Sequence, residues 1–206
     1  MTDNAQGALL EAIRRFDRVA AVKTALRALD NGSLSVPDLY DELAEILIST
    51  GAGWQQGTVE VWQEHLITGI VRTIVEACAE RVEADAPRDR EATVVLAAPE
   101  NEYHDLGLRM LADRFTLAGW QARFLGAAVP VGEAIRAVGE LGAAAIALSA
   151  STHFHRLSLN EYVAVLARAH PDLRIWVGGP SFAREQAGWP PEMILDPRAI
   201  PTPGDL

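Results

Sequence analysis

The hydrophobic period of this chain changes once, and that change limits what it can fold into. Over residues 6–82 apolar side chains recur at intervals of three and four, as in Val19, Val22, Leu26 and Leu29, which is the stripe of an amphipathic helix. Beyond residue 90 they come in short β-rich runs, at residues 92–98, 121–127, 144–150 and 173–177. The stretch between, residues 83–90 (EADAPRDR), is charged, poor in apolar residues and broken by Pro87, so it reads as a boundary. Two packing grammars on one chain predict two domains, residues 1–85 and 86–206.

The first domain is expected to hold four helices. One ends before Phe16, and a second runs over residues 17–30 and stops at Asn31-Gly32, which supply a left-handed exit. A third opens at Ser35, with Asp38 three residues on completing a capping box. A fourth covers residues 58–81. Short connections make neighbouring helices antiparallel, hence a four-helix bundle. In the second domain, helical patterns at residues 106–118, 131–141 and 158–169 separate the β-rich runs. That alternation predicts an α/β fold, a doubly wound parallel sheet of Rossmann-like type with right-handed crossovers. Such sheets meet their ligands at the carboxyl ends of the strands.

Charge and composition remove several function classes. The net charge of −10, without a basic cluster, repels nucleic acid phosphates, so direct nucleic acid contact is not expected. Cys78 is alone and can close no internal disulfide. The amino-terminal residues have no basic start and apolar core of a secretory signal, and no apolar run approaches the roughly 20 residues needed to cross a bilayer. A cytoplasmic location without membrane attachment is the expectation.

Just past the first strand of the second domain stands Glu102-Tyr103-His104-Asp105-Leu106-Gly107, where such a sheet would meet its ligand. A metal-binding imidazole commonly gives its second ring proton to a carboxylate, which fixes the tautomer and raises the basicity of the ligating nitrogen. Glu102 is placed to do this for His104. Gly107 would let the chain pass close to a bulky planar ligand. Residues 151–156 (STHFHR) put His153 and His155 around Phe154 beyond the third strand, again on the ligand edge; they read as a polar loop or as a place for a second ligand, and not as a zinc site, which needs three or four ligands. Trp120, Trp176 and Trp189 read as core or interface aromatics, and His170 as a partner for the dipole of the helix before it.

The pattern E-x-H-x-x-G, followed after 41 residues by Ser149, with 26 residues between Ser151 and the pair Gly178-Gly179, resembles the signature of cobalamin-binding domains. The resemblance implies that His104 is the lower ligand of the cobalt and Glu102 its hydrogen-bond partner, with Asp105, Leu106 and Gly107 in the binding loop. It further implies that Ser149, Gly178 and Gly179 line a slot for the nucleotide tail. Ser151, a further cofactor-binding candidate, stands where the family usually has leucine. The helical half, with Trp54, nine intervening residues and then Glu64-His65, resembles the cap of CarH-type photoreceptors. There these side chains sit over the upper face of adenosylcobalamin. The helix spacing is compatible, His65 lying three and four residues after Trp62 and Val61 at the edge of the apolar stripe.

The resemblance implies a light sensor and not an enzyme. Photolysis of the cobalt–carbon bond of adenosylcobalamin would change conformation and the state of a homo-oligomer, with a separate effector protein receiving the signal. Among relatives of this kind are photocobilins, which makes biliverdin a candidate second chromophore, lined by residues 151–156 and the tryptophans. The rival is a corrinoid carrier of a methyltransferase system, whose cap must leave the upper cobalt face accessible. W-x9-E-H argues against it. A cobalamin-binding antirepressor would share the sensor's chemistry and differ only in partner, and a mutase subunit would need a substrate-binding barrel.

Overall fold

The computed structural model describes residues 2–182 and 188–206. The chain divides into two compact units, Met1–Ala84 and Asp85–Leu206.

The first unit is helical: α1 (Thr2–Arg14), α2 (Arg18–Asp30), α3 (Val36–Gln55), α4 (Val61–Ala77) and α5 (Ala79–Asp85), which runs to the boundary. Its core is the buried set Leu9, Ile13, Ala21, Ala25, Leu39, Leu43, Val71, Ile74 and Val75, the positions the three-four period selects. The stops and starts are chemical. Asp17 accepts from the Ala20 N–H at 2.9 Å and starts α2, and Gly32, at φ +69°, turns the chain out of it. Ser35 and Asp38 form the expected capping box, each side chain accepting from the other's N–H at 3.2 Å.

The fourth expected helix differs in two ways. It begins at Val61 and not at residue 58, because the Thr58 N–H and hydroxyl turn back to the Gly53 carbonyl at 2.9 and 3.1 Å and close α3. Glu60 and Gln63 then cap α4. It also breaks at Cys78, whose N–H donates to Val75 three residues back at 3.0 Å, a tightened last turn. The apolar period continues through that break, so the sequence shows one helix where the chain makes α4 and α5.

The second unit alternates β1 (Thr93–Pro99), α6 (Leu106–Leu117), β2 (Gln121–Val129), α7 (Val131–Glu140), β3 (Ala145–Ser149), α8 (His153–Ala169) and β4 (Arg174–Gly178). The strands pair in parallel in the order β2-β1-β3-β4. Alternation along each strand divides the core between two faces. Val95, Ala97, Ile146, Leu148, Ile175 and Val177 face Ala134 and Val138 of α7 and Leu159, Tyr162 and Leu166 of α8. Val94, Leu96, Ala98, Ala145, Ala147 and Trp176 face Leu108, Ala112 and Phe115 of α6. Helices on both faces make the sheet doubly wound, as the sequence predicts.

Helix α8 starts five residues before the expected position, because Thr152 caps it by accepting from the His155 N–H at 3.2 Å. His153 and His155 therefore belong to a first helical turn and not to a loop. Trp120 and Trp176 are core aromatics, stacked with Phe115 at centroid distances of 5.9 and 5.6 Å. Trp189 packs on Phe182 at 5.6 Å. His170 caps α8 but sends Nε2 to the Ile135 carbonyl of α7 at 3.0 Å, so it ties two helices together in addition to ending one.

After β4 the chain runs back along the sheet edge. Ile194 bridges Val177 in parallel, and the Pro201 carbonyl accepts from the Trp120 indole at 2.7 Å. At Gly119, just before β2, a side chain would meet Pro87 and Pro203, each 3.8 Å from a Cβ built there. The first and last segments of this unit thus converge at the edge of the sheet where β2 begins.

Phe115 is fully buried between two indoles. Phe115→Ala is expected to cost about 3–5 kcal/mol, read as a lower midpoint in denaturant titration followed by tryptophan fluorescence.

Candidate functional site

In the order β2-β1-β3-β4 the connections from β1 and β3 leave in opposite directions, so their carboxyl ends flank the switch point. Glu102 follows β1 and Ser151 follows β3. A tight turn aims Glu102 inward: its N–H donates to the Pro99 carbonyl at 2.9 Å, its carbonyl accepts from Ala128 at 2.9 Å, and Asn101 takes φ +69°. Asparagine tolerates that left-handed conformation better than most residues.

The Glu102 side chain is 0% exposed. Oε1 accepts from the His104 N–H at 2.9 Å and from His104 Nδ1 at 2.7 Å. Oε2 accepts from the Ser151 N–H at 2.7 Å and the Ser151 hydroxyl at 2.6 Å, and lies 2.8 Å from His155 Nδ1. Burial alone pushes this carboxyl up. The hydrogen bonds from the His104 and Ser151 side chains and from their two N–H groups outweigh it and hold the group at about 2. The amino ends of α6 and α8, both near this point, add the positive end of each helix dipole.

An ionised carboxylate only accepts. His104 Nδ1 must therefore carry the proton, and the lone pair of the neutral ring lies on Nε2. The imidazole is 74% exposed, while its orienting anion is buried. Ser151, at the position where the resemblance expects leucine, is a principal donor to the anion, and its hydroxyl also lies 3.0 Å from His104 Nδ1.

The other expected residues of this unit fall nearby. Asp105 is the cap position of α6, Leu106 is buried, and Gly107 faces open space. Ser149 pairs with Gly178 in the β3–β4 register. Gly179, at φ +99°, brings its backbone against β3, and a Cβ there would lie 2.6 Å from the Ala150 carbonyl oxygen and 2.7 Å from Ser149 Oγ. No side chain fits that cradle. The nearness of His155 to Glu102 was not foreseen, although residues 151–156 were expected on the ligand edge. Its signal is the spacing of four from Ser151, which a helix converts into neighbours. His153 lies 3.0 Å from an Arg156 guanidinium nitrogen and is not joined to Glu102 by any hydrogen bond found among the described residues. Trp120 and Trp176 are held in the core, one of the two places the sequence reading gave them, and so are withdrawn from lining a second ligand.

In the first unit Trp54 is 50% exposed near the end of α3, so it is not a bundle-core aromatic. Glu64 and His65 lie in the first turns of α4 and engage each other through Oε2 and Nδ1, while the Thr68 hydroxyl donates to Glu64 Oε1 at 2.7 Å. Trp62, Val61 and Leu66 on the same helix are also exposed.

One exposed imidazole on a buried anion, beside open space and a glycine cradle, is a donor set suited to a metal that arrives already chelated in a flat macrocycle. Two family models, each described as a B12 binding domain, match residues 92–191 and 5–79. The two matches together span most of both units, so the chain carries B12 binding domains, and these support a cobalamin cofactor. Among its relatives it is similar to the HTH-type transcriptional repressor CarH of Myxococcus xanthus, 32% identical over 163 residues, 77% of this chain and 53% of that protein. The chain thus spans about half the length of that curated relative. Its fold is shared with the monomethylamine corrinoid protein of Methanosarcina barkeri, at a TM-score of 0.77 and 17% identity over 92% of both chains. No described helix is long and apolar enough to cross a membrane.

The depression of the Glu102 carboxyl has a sign that can be tested. Its folded value, about 2, lies below its ordinary value of 4.5. The stability it contributes is therefore fully present above pH 4.5 and is lost as pH falls toward 2, a contribution of about 3 kcal/mol. Glu102→Gln should remove that acid-dependent part and lower stability at neutral pH by about 2–4 kcal/mol, because an amide NH2 would confront N–H donors. Urea titrations of both proteins between pH 3 and 7 check this. Parallel pH profiles would show that Glu102 is not the group responsible.

Proposed function

We propose that this chain is a cobalamin-dependent light sensor and regulator that catalyses no reaction itself, with adenosylcobalamin as its chromophore and His104 as the lower ligand of the cobalt. The observation that carries this reading is the exposed His104 ring whose Nδ1 proton is committed to the buried Glu102 anion. That commitment leaves the lone pair on Nε2 and raises its basicity. Gly107 leaves room for the macrocycle, with Asp105 and Leu106 turning the chain into α6. Ser149, Gly178 and Gly179 line the slot for the nucleotide tail. Trp54, Glu64 and His65 read the upper axial group, and a half-exposed indole is suited to packing on one.

Bound adenosylcobalamin supplies a cobalt–carbon bond that visible light breaks. Trp54 would be the side chain that senses loss of the adenosyl group. The helical unit rearranges, the homo-oligomer changes state, and a separate effector reads the change. Similarity to a repressor supports a regulatory role, and the charge of −10 supports an output through a protein partner instead of DNA contact by this chain, acting in the cytoplasm. Biliverdin as a second chromophore would have to draw on residues 151–156, since two of the tryptophans are core. The fold shared with a corrinoid protein supports a second reading, a corrinoid carrier. Its upper face would have to accept a partner enzyme, for which an exposed Trp54 gives no reason.

The test is an absorption spectrum of the chain with adenosylcobalamin in the dark and after green light, with size-exclusion chromatography of both samples. The sensor reading expects a changed spectrum and a changed elution volume. Binding with no light-dependent change in size, or preference for methylcobalamin, favours the carrier. His104→Ala is expected to shift the bound spectrum toward a water- or benzimidazole-ligated form, and an unchanged spectrum would remove His104 as ligand.

A further inference from the structure

We propose that a groove along α2 is the docking site for an acidic, amphipathic helix of a partner protein. Helix α2 turns Ala21, Ala25 and Ala28 into the bundle. Its outward side, together with Thr73 of α4, lines an open groove of about 530 Å³. Spacing of four makes two adjacent rows there, Arg18-Val22-Leu26 and Val19-Lys23-Arg27. Val22 and Leu26 are half-buried, Val19 is 71% exposed, and Arg18, Lys23 and Arg27 reach solvent. In sequence these cations are scattered among apolar residues, and only the helix gathers them on one side.

The groove stands against the charge of the whole chain. Over residues 14–27 five side chains are cationic and one is acidic, while the chain carries −10. The side chains of Arg18, Lys23 and Arg27 form no ion pair with another described residue. Asp30, at the end of the groove, is engaged by Arg81 and does not neutralise them. Apolar side chains between unpaired cations suit a helix that presents apolar residues flanked by carboxylates. From Arg18 to Asp30 α2 rises about 18 Å, room for roughly three turns of such a helix. Other occupants fit less well. A nucleic acid or an anionic membrane meets the repulsion of the net charge, and phosphates leave Val19, Val22 and Leu26 without a partner. A small molecule would stay largely exposed in an open groove, whereas ligand pockets enclose most of their ligand. A second copy in a symmetric dimer would set the groove against itself, cation on cation. None of the lining residues is a cobalamin candidate, so the inference stands apart from the reading of His104 and from light sensing.

The experiment uses the full chain and a fluorescein-labelled synthetic peptide of about 14 residues, with leucines at helical spacing along one face and glutamates beside them. Anisotropy titration gives the affinity, and 1H–15N spectra of the labelled protein locate the contact. Wild type is expected to bind with a Kd below about 1 mM at low salt, more weakly as ionic strength rises toward about 0.5 M, with amide shifts concentrated over residues 18–30 and at Thr73. Lys23→Glu combined with Arg27→Glu reverses two solvent-exposed charges and should weaken binding about 10-fold or more. The same double variant should bind the peptide carrying lysine in place of glutamate better than wild type does, a gain that an unfolded variant would not give. No binding below about 1 mM, shifts confined to other residues, or an affinity indifferent to the charge swap would overturn the inference. So would displacement of the peptide by duplex DNA or by phosphatidylglycerol vesicles. Concentration-dependent shifts of Val19, Val22 and Leu26 without peptide would give the groove to a second copy and overturn it as well.

Discussion

A negative charge sealed from water holds this site together. An unpaired carboxylate at 0% exposure would be protonated or would destabilise the fold by several kcal/mol. Glu102 stays ionised because donors converge on it from two loops that are distant in sequence and adjacent only through the order β2-β1-β3-β4. The anion and the topology depend on each other. The loop after β1 supplies the carboxylate and the ligand candidate, the loop after β3 supplies Ser151, and α8 supplies His155. No local segment could assemble this arrangement alone.

The fold was legible in the sequence to the extent that it follows from period. Four β-rich runs became four parallel strands, each within a residue or two of its expected limits, and the Ser35–Asp38 cap fell where the pattern places it. Period failed where hydrogen bonding changes without a change in apolar spacing. Cys78 closes a turn inside an unbroken stripe, and Thr58 turns back to finish one helix where the pattern starts the next. Of the site, the Glu102–His104 pair was legible because two residues of separation suffice to bring its groups together. Ser151 was already a candidate, though its bonds to Glu102 were not legible because they join loops 49 residues apart; the nearness of His155 was not legible, because it depends on where α8 begins. A polar run such as STHFHR looks like a loop until Thr152 is recognised as a cap. Ser151, which looked like a departure from a pattern, turned out to be one of the strongest donors to the anion.

The second unit separates its mechanical and chemical tasks by face and by edge. Leu, Ile, Val and aromatic side chains fill both faces of the sheet, and the polar network is confined to the carboxyl edge. The glycines there do different things. Gly179 permits a backbone approach that any Cβ would block, whereas Gly107 faces open space. One contributes to the packed frame and the other leaves open space beside the loop of His104.

The meeting of Pro87 and Pro203 at Gly119 has an evolutionary consequence. The entering and leaving segments of this unit lie together at one corner, at the opposite end of the sheet from the His104 edge. A unit whose ends adjoin can be spliced into a host loop, or have its own ends joined and be reopened elsewhere, without stretching the framework. Such a cassette can be moved among proteins of different purpose while its carboxyl edge stays intact, which is a physical reason for one fold to recur among them.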